Sequence, residues 1–171
     1  MDKSRLISVI LIVILFSCQN TVQINELEII EGESFYNGDK YSGIAIKKDD
    51  LDNIRVEEKY NDGIKFYTKL FYSEGSIQSE WIYGNSKITV TRYYKSGRVE
   101  SKESFDKERV RNGTSYLYYK NGNIKSEWNF KNGLRDGLQK NFFGDGTLSD
   151  ETETVKGVQN GFMKIYDRDG K

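Results

Sequence analysis

The segment Ile77-Gln78-Ser79-Glu80-Trp81-Ile82-Tyr83 returns as Ile124-Lys125-Ser126-Glu127-Trp128-Asn129-Phe130, with Ile, Ser, Glu and Trp identical at a constant offset of 47. Internal repetition constrains a fold more than any composition can. A unit too small to bury its own surface must settle against its neighbours in an array. A related copy lies midway, from Val99 to Phe105, with an earlier one from Ile54 to Tyr60 and a later one from Leu148 to Thr154. A turn glycine recurs as Gly75, Gly97, Gly122, Gly146 and Gly170, with Asp52 in its place in the first unit, at steps of 23, 22, 25, 24 and 24 residues. Two residues after it stands an aliphatic side chain: Ile54, Ile77, Val99, Ile124 and Leu148. Four residues before it stands an aromatic: Phe71, Tyr93, Tyr118, Phe142 and Tyr166.

The clearest copy, Thr114 to Phe130, reads as a β-hairpin. Tyr116 to Tyr119 is rich in aromatics, which favour strands. Asn121-Gly122 is a strong signal for a two-residue type I′ turn. Such a turn sets Tyr119 opposite Ile124 and Leu117 opposite Ser126. Alternation then assigns Leu117, Tyr119, Ile124, Trp128 and Phe130 to a core face, and Tyr116, Tyr118, Lys125 and Glu127 to an amphipathic one. Further glycines, in Asn132-Gly133 through Asp136-Gly137 and Lys156-Gly157 through Asn160-Gly161, turn the chain into the next hairpin. A lone hairpin is marginal in water, so the units are expected to share a core. The fold class expected is all-β: an elongated antiparallel sheet of about six units of 22–25 residues over residues 35–171.

Composition supports this and removes several chemistries. The chain has 12 Tyr and 9 Phe, 16 Gly and no Pro. It has no His, which excludes His-dependent triads and His-ligated metal sites. Lys plus Arg and Asp plus Glu balance at 26 each, so no strong field points to nucleic acid. The only cysteine, Cys18, excludes an internal disulfide.

The first residues read as an address. Lys3 and Arg5 precede an apolar run from Leu6 to Phe16, too short to span a bilayer comfortably and laid out as a signal-peptide helix. The run ends in Leu15-Phe16-Ser17-Cys18, which resembles the lipobox of bacterial lipoproteins, although Phe16 is bulkier than the usual occupant. The resemblance implies removal of residues 1–17 and lipidation of Cys18, with acyl chains of the palmitate kind anchoring the protein. Residues 18–34 are then an N-terminal tether. Gln19 after the cysteine gives no inner-membrane retention signal, so the outer membrane is the expected site in a cell that has one.

Tyr118-Tyr119-Lys120-Asn121-Gly122 and Asn132-Gly133-Leu134-Arg135-Asp136-Gly137 resemble the variant MORN repeat of bacterial proteins. The resemblance covers roughly residues 35–171, with residues 44–58 degenerate, and implies a sheet of tandem hairpins that serves as a binding scaffold. Many bacterial members are grouped as YwqK-like antitoxins, which offers a second reading as the partner of a toxin. A cytoplasmic antitoxin would not need a lipobox.

Two columns are candidates for function. Glu57, Glu80, Lys102, Glu127 and Glu151 occupy one position in successive units. Carboxylates about 10 Å apart would approach the spacing of an inverting glycosidase, whereas a solvated charge ladder fits the interleaved lysine. The aromatic column Phe71, Tyr93, Tyr118, Phe142 and Tyr166 suits either cross-strand pairing or a stripe that holds a glycan or an extended peptide. Asp49-Asp50-Leu51-Asp52 and Asp167-Arg168-Asp169-Gly170 lack the full spacing of a calcium loop and read as turns. No catalytic residue, metal site or cofactor is expected. The expected contacts are the membrane, through the lipid on Cys18, and an envelope protein or glycan.

Overall fold

A computed structural model describes residues 21–171. The leader, Cys18 and the first residues of the expected tether lie outside the described residues. The strands are β1 (Thr21–Gln23), β2 (Glu28–Ile30), β3 (Glu33–Tyr36), β4 (Asp39–Lys40), β5 (Gly43–Lys48), β6 (Ile54–Asn61), β7 (Ile64–Phe71), β8 (Ile77–Tyr83) and β9 (Ile88–Tyr93). They continue with β10 (Val99–Phe105), β11 (Gly113–Tyr118), β12 (Ile124–Lys131), β13 (Leu134–Arg135), β14 (Gly137–Phe142), β15 (Leu148–Val155), β16 (Val158–Gln159) and β17 (Lys164–Ile165). From β5 onward the hairpins lie side by side in one sheet, in the order β5-β6-β7-β8-β9-β10-β11-β12-β14-β15-β16. Apart from one 3-10 turn, Ile24–Glu26, the described residues form an all-β fold, as the repeat spacing requires. Within the stretch expected as a tether, β1 pairs in parallel with β5, and Val22 is buried. The strands β2, β3 and β4 form a separate small sheet joined to the Asp62-Gly63 turn, where Ser34 N–H donates to the Gly63 carbonyl at 2.8 Å.

Along one edge the turns are uniform. They begin at Asp49, Tyr72, Tyr94, Tyr119, Phe143 and Asp167. In each, the fourth residue's N–H donates to the first carbonyl and the first N–H donates to the fifth carbonyl, at 2.8–3.0 Å. Only the fourth residue has positive φ: Asp52 at 64°, Gly122 at 100° and the other repeat glycines between them. This is a type I turn closed by a left-handed residue that forms a bulge, not the expected type I′ turn at Asn121-Gly122. Asp52 holds the left-handed position because a short polar side chain tolerates it. The type I′ geometry is found at the opposite edge. Asp62-Gly63, Asn132-Gly133 and Lys156-Gly157 there have positive φ at both residues.

A second irregularity repeats with the turns. The register shifts between Lys47 and Lys48, Leu70 and Phe71, Val99 and Ser101, Leu117 and Tyr118, and Asn141 and Phe142. Leu117 faces Ser126 as expected, but Tyr119 does not face Ile124. Tyr118 does. The bulge rotates Ile124 out of the Leu117 face and onto the aromatic one, because one extra residue reverses the side to which later side chains point. Each aromatic of the column thereby meets an aliphatic directly: Phe71 with Ile77, Tyr93 with Val99, Tyr118 with Ile124 and Phe142 with Leu148.

The shared apolar core expected between hairpins is not formed, because the hairpins extend one layer edge to edge instead of stacking face on face. Buried side chains along the array are mostly small or polar, including Ser79, Ser101, Ser115, Ser126 and Gln139. Trp128 is half-buried. Its indole N–H donates to Asn141 at 3.3 Å, and the Arg135 guanidinium lies 4.2 Å from its ring centre. The apolar cluster sits at the N-terminal end, where Val22, Tyr41, Ala45 and Tyr60 pack with Ile24, Leu27 and Tyr36. Elsewhere adjacent units are fastened by tyrosines. Tyr72, Tyr94 and Tyr119 donate their hydroxyls to the carbonyls of Tyr93, Tyr118 and Phe142 in the following unit, at 2.9, 2.7 and 2.8 Å.

The turn geometry yields a direct test. A Cβ at Gly122 would meet nothing within 4 Å, so a substitution there is opposed by backbone strain alone. Gly122→Val should cost about 1–2 kcal/mol, with the same result at Gly97, and Asn123→Val should be milder. Urea unfolding of the three variants measures this. Equal stability of Gly122→Val and the parent would contradict the left-handed turn.

Candidate ligand-binding faces

The bulges and registers bring both predicted columns onto one face of the sheet. The charged column is a continuous row across the strands. Glu57 faces Lys69, which faces Glu80, and Thr91 lies between Glu80 and Lys102. Tyr116 then separates Lys102 from Glu127, and Lys140, Glu151 and Lys164 complete the row. Lys69, Lys140 and Lys164 come from the first strands of their hairpins, a pairing that the column of second-strand residues does not reveal. Lys164 reaches Glu151 at 2.8 Å, and Lys69 lies 3.8 Å from Glu80.

The aromatic column runs beside this row, half-buried at every position. Hydroxyls of the column, and that of Tyr67, reach into the ladder. Glu80 accepts from Tyr67 and, at 2.5 Å, from Tyr93, while Glu151 accepts from Tyr166 at 3.1 Å. Burial pushes the Glu80 carboxyl up, but the Tyr67 and Tyr93 hydroxyls, with Lys69 and Lys59 nearby, outweigh it and hold the carboxyl below its ordinary value. The hydrogen bond from Lys164, followed by that from Tyr166, lowers Glu151 as well. Burial and the Glu80 carboxylate push the Tyr93 phenol up to about 12. These carboxylates are therefore held ionised. A general acid at neutral pH needs the opposite shift. Near the middle of the face, a depression between the Gly97 and Gly122 turns is lined by Arg98, Val99, Lys102, Tyr118 and Asn121.

The acidic clusters serve their own turns. Asp49 accepts from the N–H groups of Leu51 and Asn53, both at 3.0 Å, and Asp167 accepts from those of Asp169 and Lys171 at 3.0 and 2.9 Å. Cys18 lies outside the described residues.

Sequence reasoning missed the polar composition of the other face. There Trp81 faces Val90, which faces Glu103. Glu103 is 5% exposed and ion-paired with Arg92 and, at 2.5 Å, with Arg111. The Arg92 guanidinium lies 5.9 Å from the Trp81 ring centre, and that of Arg111 lies 5.2 Å from the centre of Phe130. The signal was available in the column four residues after the post-turn aliphatic, which reads Glu58, Trp81, Glu103, Trp128 and Thr152. A mixed column of acids and tryptophans is not a core pattern.

Comparison with known proteins fits this architecture. The family model described as "MORN repeat variant" matches residues 111–132, which hold β11, its turn and β12. No curated protein matches the chain. Among solved structures, a mutant of TarM from S. aureus, in complex with Fondaparinux, alpha-GlcNAc-glycerol and UDP, is similar over 61% of this chain and 21% of that chain, with 8% identity and a TM-score of 0.43. The chain thus spans about a fifth of that protein's length, at a similarity that supports no functional argument. One repeat is matched by the family model, and its turn and bulge recur in unit after unit, which supports a sheet of MORN-type hairpin repeats.

Proposed function

We propose that the chain is a non-catalytic scaffold, lipid-anchored at the cell envelope through Cys18, that holds an extended protein or glycan against the aromatic row. A MORN array suggests a repeat-type binding module, and the anchor rests on the lipobox of the sequence. The observation that carries the reading is the row itself. Aromatic and aliphatic side chains alternate across successive strands, half-exposed, with a ladder of ionised groups at their side. A rigid surface of this kind loses little conformational entropy when a ligand lies along it. The downward shift of Glu80 and Glu151 supports binding over acid catalysis.

Two measurements test the reading. Fatty-acid labelling of growing cells is expected to tag the protein and not Cys18→Ala. Equal labelling of both would sink the anchor. Tyr93→Ala with Tyr118→Ala is expected to abolish retention of envelope glycan or protein fractions while far-ultraviolet circular dichroism is unchanged. Retention equal to the parent's would remove the row as the binding surface, and selective recovery of a cytoplasmic toxin would favour the antitoxin reading.

A further inference from the structure

We infer that the partner of the aromatic row is a second copy of this chain, laid face to face on the first about a two-fold axis that runs along the strands between β10 and β11. This rests on the reading of the row as a protein-binding surface and names its occupant. Strand parity makes the face self-complementary. The charged row crosses ten strands, from Glu57 in β6 to Lys164 in β17. Its glutamates all lie on second strands of hairpins, whereas Lys69, Lys140 and Lys164 lie on first strands. A half-turn about this axis reverses the strand order, so every first strand meets a second strand. Glu57 then faces Lys164, Lys69 faces Glu151 and Glu80 faces Lys140. Towards the axis Thr91 faces Glu127, and Lys102 faces Tyr116. No like charges meet along the row.

The apolar stripe obeys the same rule. An axis along the strands leaves each position at its own height, so stripe lies over stripe and row over row. The aromatics of the stripe stand on first strands and the aliphatics on second strands. Phe71 therefore faces Leu148, Ile77 faces Phe142, Tyr93 faces Ile124 and Val99 faces Tyr118. A large ring over a smaller side chain at every step fills the gap evenly. Beyond the charged row, Ile82, which is 56% exposed, meets Leu138. Sheets of one twist pack in this way with strands nearly aligned, about 10 Å apart, within the joint reach of a lysine and a glutamate.

Charge also rejects the competing arrangements. A two-fold axis perpendicular to the strands sets each strand over itself and brings Glu80 to Glu80 and Lys69 to Lys69. A slip by one strand sets Glu57 against Glu151 and Lys69 against Lys140. Both are repulsive, so the ladder selects orientation and register while the apolar stripe supplies affinity. A face ten strands wide and about 15 Å deep covers roughly 700 Å² of each copy, close to the roughly 800 Å² per partner of stable complexes. The half-turn also keeps each edge of the sheet on its own side. Thr21, three residues after Cys18, pairs with Ile44 at the same edge in both copies, so two anchors on Cys18 can enter one membrane.

Carbodiimide cross-linking of the full-length chain in detergent tests the inference, with sedimentation to give the mass of the protein species. The reagent joins a carboxylate to an ammonium group that touches it. Glu57 and Lys164 of one chain lie nine strand spacings apart, about 40 Å, so an amide between them forms only across two copies. Dimers are expected, with peptides joined through Glu57 and Lys164 and through Lys69 and Glu151. Glu80→Lys and Lys140→Glu are each expected to weaken dimerisation about tenfold. An equimolar mixture of the two should associate as the parent does, because each variant supplies the charge that the other has lost. A parent that stays monomeric at high micromolar concentration, or a dimer that yields neither long-range cross-link, would overturn the inference. If such a monomer still needs Tyr93 and Tyr118 to retain envelope fractions, the row is a binding surface for another partner. If retention is also unchanged in Tyr93→Ala with Tyr118→Ala, both readings fall.

Discussion

Tyr60→Ala is expected to destabilise the protein by about 3–5 kcal/mol, the range for removing a large aromatic from a packed site. Tyr60 is buried in the apolar cluster at the N-terminal end, with its ring 5.7 Å from that of Tyr41 and its hydroxyl donating to Glu58 at 2.5 Å. The neighbourhood cannot collapse easily. Ala45 is 0% exposed, and the small sheet is tied to the Asp62-Gly63 turn by backbone bonds. Tyr60→Phe keeps the ring and loses only the hydrogen bond, at about 1.5–3 kcal/mol for a bond to a charged acceptor. The equivalent change at the C-terminal end, Thr154→Ala, removes far less packing. Urea unfolding followed by circular dichroism ranks the three. A Tyr60→Ala protein as stable as Thr154→Ala would show that the cluster does not hold the array.

The double variant Arg92→Ala with Arg111→Ala is expected to lose about 3 kcal/mol, the lower end of the range for stranding a buried charge. Both guanidiniums are partly exposed, so water can reach the vacated positions and soften the loss. The decisive comparison adds Glu103→Ala. Removing the stranded carboxylate along with its partners should restore most of the stability, since a charge no longer buried has no desolvation to offset. Urea midpoints at neutral pH are the measurement. A double variant with the parent's midpoint, or a triple variant no better than the double, would show that the ion pairs do not hold Glu103 in place.

Both predictions concern positions whose environment the repeat columns do not display. The columns are local: a residue and its equivalents at a fixed spacing. They located the six turns along one edge, down to Asp52, which replaces glycine and still adopts a φ of 64°. They aligned the aromatic and charged columns that the sheet then set side by side. The pairing of Leu117 with Ser126 follows from the same reading. It failed one residue later. Period-two alternation has no way to register a bulge, and the bulge at Tyr118 sent Ile124 to the other face.

The amino-acid sequence by itself determined the unit, its length, its turn positions and its all-β character, because these depend on backbone preferences and on spacings within a few residues. The tertiary structure decided how the units meet. Hairpins joined edge to edge leave both faces of one layer open, so the indoles became half-buried surface instead of core. Lys69, Lys140 and Lys164 entered the carboxylate row only through strand registry. Arg92 and Arg111 reached Glu103 from positions 11 and 8 residues away, brought there by the hairpins on either side. Such contacts follow from which strands lie adjacent and in what register, a property of the assembled sheet and of no single segment.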